Sequence, residues 1–186
     1  IITLSMAPTL FARHCVLELR AEFDIATILF LVASIALGAL AGFYDRFWWW
    51  DEILHLISGL LLGMLGLSLI WVLNYNDRIE LELSSGFMCL FAFTFALSAG
   101  VIWEIFEYGM DLFFRLNMQR SGLDDTMSDL MVDAMGALIV SLLAKAYLTR
   151  GRRSVLSNWM EQFLALNKKT FIRRKLKWRK LRLKKH

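Results

Sequence analysis

Eight ionisable side chains fall in three short runs, and within each run the spacing is that of one helix face. Asp51 and His55 stand at i, i+4; Glu104, Glu107 and Asp111 at i, i+3, i+7; Asp125, Asp129 and Asp133 at i, i+4, i+8. Side chains at such intervals stack along one side of an α-helix. With a rise of about 1.5 Å per residue, Glu104 lies roughly 10 Å along the helix from Asp111, and Asp133 roughly 12 Å from Asp125. The two acidic stripes therefore reach similar depths. Carboxylates meeting an imidazole are the donor set of a divalent cation: hard oxygens suit Mg²⁺, Ca²⁺ or Mn²⁺, and carboxylate with imidazole suits Zn²⁺, Mn²⁺ or Fe²⁺.

Two other resolutions stay open. Some carboxyls can be kept protonated, as a proton-handling site would use. Arg46, Arg115 and Arg120 can also fold over the group as salt bridges and hydrogen bonds, a purely structural answer. Taken singly, Asp51, Asp124 and Asp125 also fit helix N-caps, and His55 also fits a hydrogen-bond donor to a neighbouring helix. A haem or chlorin ligand at His55 is chemically conceivable, but nothing else in the chain supports it. His55, Glu104, Glu107, Asp129 and Asp133 are the leading candidates for a metal site, with Asp51, Asp111 and Asp125 as further lining. No Walker loop, dinucleotide fingerprint, HExxH or GxSxG occurs, so no reaction class or catalytic residue follows from a motif.

The elements that must hold these residues are membrane-spanning. Of the 186 residues, 58% are hydrophobic and one is proline, and the apolar residues come in long blocks rather than alternating faces. About 20 apolar residues in helix cross a bilayer core. Four stretches qualify, at about residues 25–44, 49–73, 87–109 and 127–148. The expected fold is an all-α polytopic bundle of at least four transmembrane helices over 25–150, preceded by an apolar or interfacial segment (1–24) and followed by a basic tail (151–186). The 1–10 stretch, which starts at Ile1, reads as the end of an earlier helix or a short interfacial segment rather than a signal peptide. Glycines inside the spans, Gly59-x3-Gly63 among them, suit close helix contacts in lipid. Cys15 and Cys89 form no CxxC spacing and read as buried apolar residues.

Orientation follows from the distribution of Lys and Arg. The net charge of +4 conceals a net acidic body, because eleven of the nineteen residues from Lys168 to His186 are Lys or Arg. That places the tail in the cytoplasm and the acidic runs towards the outer side. Trp48, Trp49 and Trp50 then form an outer aromatic belt, with Trp71 and Tyr75 at the inner interface.

Three motifs in order resemble a known family. They are Phe43-Tyr44-Asp45-Arg46-Phe47-Trp48-Trp49-Trp50-Asp51-Glu52-Ile53-Leu54-His55 with Ser58, Gly59 and Gly63; Gly100-Val101-Ile102-Trp103-Glu104-Ile105-Phe106-Glu107 with Asp111 and Asn117-Met118-Gln119; and Gly122-Leu123-Asp124-Asp125-Thr126-Met127-Ser128-Asp129-Leu130 running to Asp133, Gly136 and Ala137. They look like the signature of the YjdF-like bacterial inner-membrane proteins, a domain of unknown function, over about residues 25–150. The resemblance implies residence in the inner membrane, with the acidic pocket towards the periplasm, and one further amino-terminal helix. A more distant similarity, through Asp129-x3-Asp133-x2-Gly136, is to VanZ-like membrane proteins linked to glycopeptide resistance, where asparagine is expected at the second position.

Lys168, Lys169, Arg173, Arg174, Lys175, Lys177, Trp178 and Arg179 mix cations with aromatics beside a membrane, the pattern of an anchor for anionic headgroups or a partner protein. Nucleic acid is the competing and weaker reading, since the bilayer offers the nearest anions. Two functions stand side by side. In one, a divalent metal in the pocket activates water for attack on a lipid-linked or periplasmic phosphate or ester. In the other, the chain is a non-catalytic subunit of a larger membrane complex, its acidic residues fixing helix packing.

Overall fold

The computed structural model describes residues 21–74 and 82–150, together with Asn158 and Gln162. Every regular element among them is helical. Helix α1 runs over Ala21–Leu31 and continues as a wider, π-helical stretch, Val32–Leu40. The stretch closes with the Ala41 amide donating to the Ala36 carbonyl at 3.0 Å. Gly42 then takes φ 71°, a left-handed conformation that costs glycine little, and the chain turns into the short helix α2, Phe43–Arg46. The first span therefore ends at Leu40, and Tyr44 lies beyond it rather than within it.

Three long helices follow: α3 (Trp50–Asn74), α4 (Ser85–Phe114) and α5 (Leu123–Arg150). The Ser84 hydroxyl caps α4 by accepting the Phe87 amide at 3.2 Å. At the other end Arg115, at φ 54°, closes α4 by donating its amide to the Asp111 carbonyl at 3.0 Å. Helix α1 with its π-helical extension, and helices α3, α4 and α5, are each long and apolar enough to cross a membrane.

Helices α3, α4 and α5 pack on one another in all three pairings, and α1 leans on α3. Their interior divides by polarity along its length. One half is an apolar core of Leu67, Ile70 and Trp71 from α3, Met88, Cys89 and Ala92 from α4, and Val140 and Ala144 from α5, closed by Phe23 of α1. Trp71, 5% exposed, belongs to that core and not to an interface. The other half, at the start of α3 and α5 and the end of α4, buries His55, Glu104, Glu107, Asp129 and Asp133.

Small residues bring α3 and α5 close enough for this. A Cβ on Gly59 would collide with the Asp133 carbonyl, and one on Gly63 would stand 3.3 Å from Val140 Cβ. Gly136 in turn faces the α3 backbone at Leu56 and Leu60. The outer faces are the reverse: Leu40, Phe113, Leu123, Ile102 and Ile105 are each more than 60% exposed. In water these faces would be a large apolar patch, whereas lipid tails solvate them.

Candidate functional site

His55 is the hub of the polar half. One turn into α3, its ring is 7% exposed and touches carboxylates on three helices. Nδ1 lies 3.2 Å from Asp133 Oδ2. The other Asp133 oxygen is 2.6 Å from the Ser58 hydroxyl, which also lies 2.8 Å from the His55 carbonyl. Asp133 is thus seated by two side chains of α3, and Gly100 of α4 makes room for it, since a Cβ there would run into Oδ2.

Nε2 of His55 looks the other way, at three more carboxylates: Asp51 Oδ1 at 3.9 Å, Glu104 Oε1 at 3.8 Å and Asp129 Oδ2 at 3.8 Å. These separations are too long for hydrogen bonds. Both Glu104 oxygens and Asp129 Oδ2 are buried without a hydrogen-bond partner among the described residues. The Thr126 hydroxyl faces Glu104 outside hydrogen-bond geometry and accepts the Gln119 amide at 2.6 Å. Glu104 is 4% exposed and Asp129 2%, so both lie out of reach of bulk solvent.

Among the described residues no arginine or lysine forms an ion pair with Glu104, Asp129 or Asp133. Arg46 and Arg115 are exposed, and Arg115 serves as the α4 cap. Arg120 lies at the mouth. Its guanidinium sits 5.1 Å over the Tyr44 ring and 3.7 Å from the exposed Asp45. Tyr44 is itself fixed by a 3.1 Å hydrogen bond with Ser34, its ring filling a notch at Gly38, and burial pushes its hydroxyl above its ordinary pKa. The arginine lid open to the sequence is therefore not the arrangement adopted.

The remaining acidic candidates separate. Asp51 is the second residue of α3, inside the first turn rather than at its cap, with its carboxylate towards His55. Asp125, in the first turn of α5, accepts the Arg120 amide at 3.2 Å and comes together with Asp51 and Asp129. Both positions gain from the positive end of a helix dipole. Glu107 is buried beside the cluster, but its Oε1 accepts the Trp103 indole N–H at 2.9 Å, and it joins neither group of converging donors. Asp111 turns to the α4–α5 loop, where its two oxygens accept the Met118 and Gln119 amides at 2.7 and 2.8 Å. The tail candidates, Lys168, Lys169, Arg173, Arg174, Lys175, Lys177, Trp178 and Arg179, lie outside the described residues.

Ser58, Gly100 and Trp103 join the site without having been singled out for chemistry. Ser58 is one turn beyond His55 and Gly100 one turn before Glu104, so face-sharing was the available signal.

Comparison with known proteins decides the family. The family model described as "Predicted membrane protein (DUF2238)" matches residues 1–150. The chain belongs to DUF2238. Every side chain of the buried cluster falls within the DUF2238 match. A protein of Thermotoga maritima described as "Uncharacterized protein" is 32% identical over 119 residues, which are 62% of this chain and 59% of that relative. The match thus spans less than two thirds of the relative's length. No solved structure matches this DUF2238 chain.

Proposed function

We propose that this DUF2238 protein holds a divalent cation between α3, α4 and α5, ligated by His55 Nε2, Glu104 and Asp129. The observation that carries this reading is the set of donors around Nε2. His55 Nε2, Glu104 and Asp129 offer atoms within 4.8 Å of one another, all from buried side chains. A cation with bonds of about 2.0–2.2 Å draws its ligand atoms closer than this, so the set contracts onto a bound ion. Protonated His55 supplies one positive charge at most, against four carboxylates within 4 Å of its ring. Asp133 acts on the ligand rather than the metal: accepting Nδ1–H, it fixes the tautomer that leaves the Nε2 lone pair free.

An ion so placed lowers the pKa of a bound water and polarises a phosphoryl or carbonyl oxygen, which suits hydrolysis of a lipid-linked or periplasmic phosphate or ester. The pocket would then face the periplasm across a bacterial inner membrane, with the basic tail among anionic headgroups on the cytoplasmic side. The YjdF-like motifs agree with that setting. The accessory-subunit reading gains from Asp133 and Ser58, whose hydrogen bonds do join α3 to α5. It leaves Glu104 and Asp129 unexplained, because carboxylates acting as packing glue need partners.

The test is metal analysis of detergent-purified protein after loading with Mn²⁺ or Zn²⁺ and desalting. Stoichiometric metal is expected in the wild type and in Glu107→Gln, and its loss in Glu104→Gln and Asp129→Asn. A folded wild type that retains none would remove the proposal.

A further inference from the structure

The converging carboxylates do not stop at the His55 triad. Asp51, Asp125 and Asp129 also bring one oxygen each within 4.8 Å of one another, and Asp129 belongs to both groups. We infer that the site is binuclear, with the Asp129 carboxylate bridging two divalent cations, one on the His55–Glu104 side and one on the Asp51–Asp125 side. This rests on the reading above and extends it to a second metal.

Three observations support it. Asp129, the carboxylate common to both groups, is 2% exposed, and its Oδ2, 3.8 Å from His55 Nε2, has no hydrogen-bond partner among the described residues, so a buried, unpaired carboxylate stands between the two sets of donors. Asp125 is held by the Arg120 amide at 3.2 Å, which orients its carboxylate from outside as a supported ligand is oriented. Charge points the same way. Asp51, Glu104, Asp125 and Asp129 carry four negative charges when ionised, and one divalent cation cancels only half of them. The two remaining buried acids are otherwise engaged, Asp133 with His55 and Ser58, and Glu107 with Trp103. Arg120 does not substitute for a second metal, since its guanidinium sits over Tyr44 and beside Asp45.

The two positions differ in chemistry. The first has an imidazole and accepts Zn²⁺, Mn²⁺ or Fe²⁺; the second is all oxygen and favours Mn²⁺ or Mg²⁺. Paired metals sharing a carboxylate sit about 3.5–4 Å apart and clamp the attacking and leaving oxygens of an in-line displacement at phosphorus. The substrate class this fits is a phosphate ester or anhydride whose phosphoryl group reaches the outer end of the bundle.

Mn²⁺ titration of the full chain in detergent, followed by low-temperature electron paramagnetic resonance, separates the outcomes. Two Mn²⁺ per chain with an exchange-coupled signal is expected. Asp125→Asn, altered at the mouth rather than in the core, should bind one Mn²⁺ with an uncoupled six-line signal and keep the wild-type helical circular dichroism. One uncoupled Mn²⁺ in the wild type would overturn the second metal and leave the His55 site standing. No binding by folded wild type would overturn both.

Discussion

Asp133 and His55, from helices 78 residues apart in sequence, meet through Oδ2 and Nδ1 at 3.2 Å, and the far ring nitrogen is thereby pointed at Asp51, Glu104 and Asp129. In the metal-bound state proposed above, an Nδ1–H donated to Asp133 would leave Nε2 as the nitrogen that faces the ion. Asp133→Asn keeps an oxygen for Nδ1–H but removes the charge that strengthens it. Mn²⁺ affinity should fall roughly 10–100-fold, the usual effect of losing such a support. Isothermal titration checks this, and unchanged affinity would place Asp133 outside the site's function.

Ser58 is the smallest test of the same contact. Ser58→Ala leaves one Asp133 oxygen buried without its hydroxyl partner, at a cost of about 1–3 kcal/mol. Equilibrium unfolding in mixed detergent should show it. The metal-loaded protein should lose less, because the ion holds the histidine that holds Asp133.

Two glycines on α4 should respond oppositely to alanine. Gly100→Ala places a methyl against the Asp133 carboxylate, so the acid must move; a destabilisation of about 1–3 kcal/mol and lost Mn²⁺ binding are expected. Gly109→Ala meets nothing within 4 Å and gains helix propensity of up to about 1 kcal/mol. Equal effects at the two positions would show that the crowding at Gly100 is relieved without consequence.

Arg120 is the cation at the mouth. Its pair with Asp45 is exposed, so Arg120→Ala should cost no more than about 1 kcal/mol of stability. Removing a positive charge beside a cation site should tighten Mn²⁺ binding, most visibly at low salt where screening is weak. Weaker binding in this variant would show that the backbone hydrogen bond to Asp125 had been lost with the side chain.

Bound metal should also stabilise the bundle. A ligand that binds only the folded state at 100 times its dissociation constant contributes about 2.7 kcal/mol. Thermal unfolding should rise with Mn²⁺ and return with chelator, and both shifts should vanish in Asp129→Asn, which removes the carboxylate shared by both groups of donors.

Much of this arrangement was legible because helices repeat. Spacing of i, i+4 put Asp51 with His55, and i, i+4, i+8 put Asp125, Asp129 and Asp133 on one face; in the structure the four acids surround the His55 ring or adjoin it. What spacing could not show is what lies across the gap. Asp111 shares a helix face with Glu104 and Glu107, yet α4 extends to Phe114 and the loop folds back, so its carboxylate meets two backbone amides instead. Glu107 is diverted by Trp103, one turn earlier on its own helix, a pairing that only side-chain direction decides. Gly100 was readable as a small residue but not as the notch for an acid on another helix. The left-handed turn at Gly42 that follows the first apolar helix leaves no trace in an apolar run.

No single helix or helix pair contains the cluster: α3 supplies the imidazole, α4 one of its carboxylates, and α5 the residue that both groups of donors share. In chain order α3 and α4 come before α5, and alone they set His55 Nε2 against Asp51 and Glu104, without Asp129 or Asp133. An acid near the middle of a span costs about 2.5–3.5 kcal/mol on insertion scales. Arrival of α5 adds further acids and so raises the electrostatic cost, unless a cation enters as the helices close. If the site holds a cation as proposed above, chain order makes its capture wait for the last of the three helices, so that metal binding and completion of the fold would coincide.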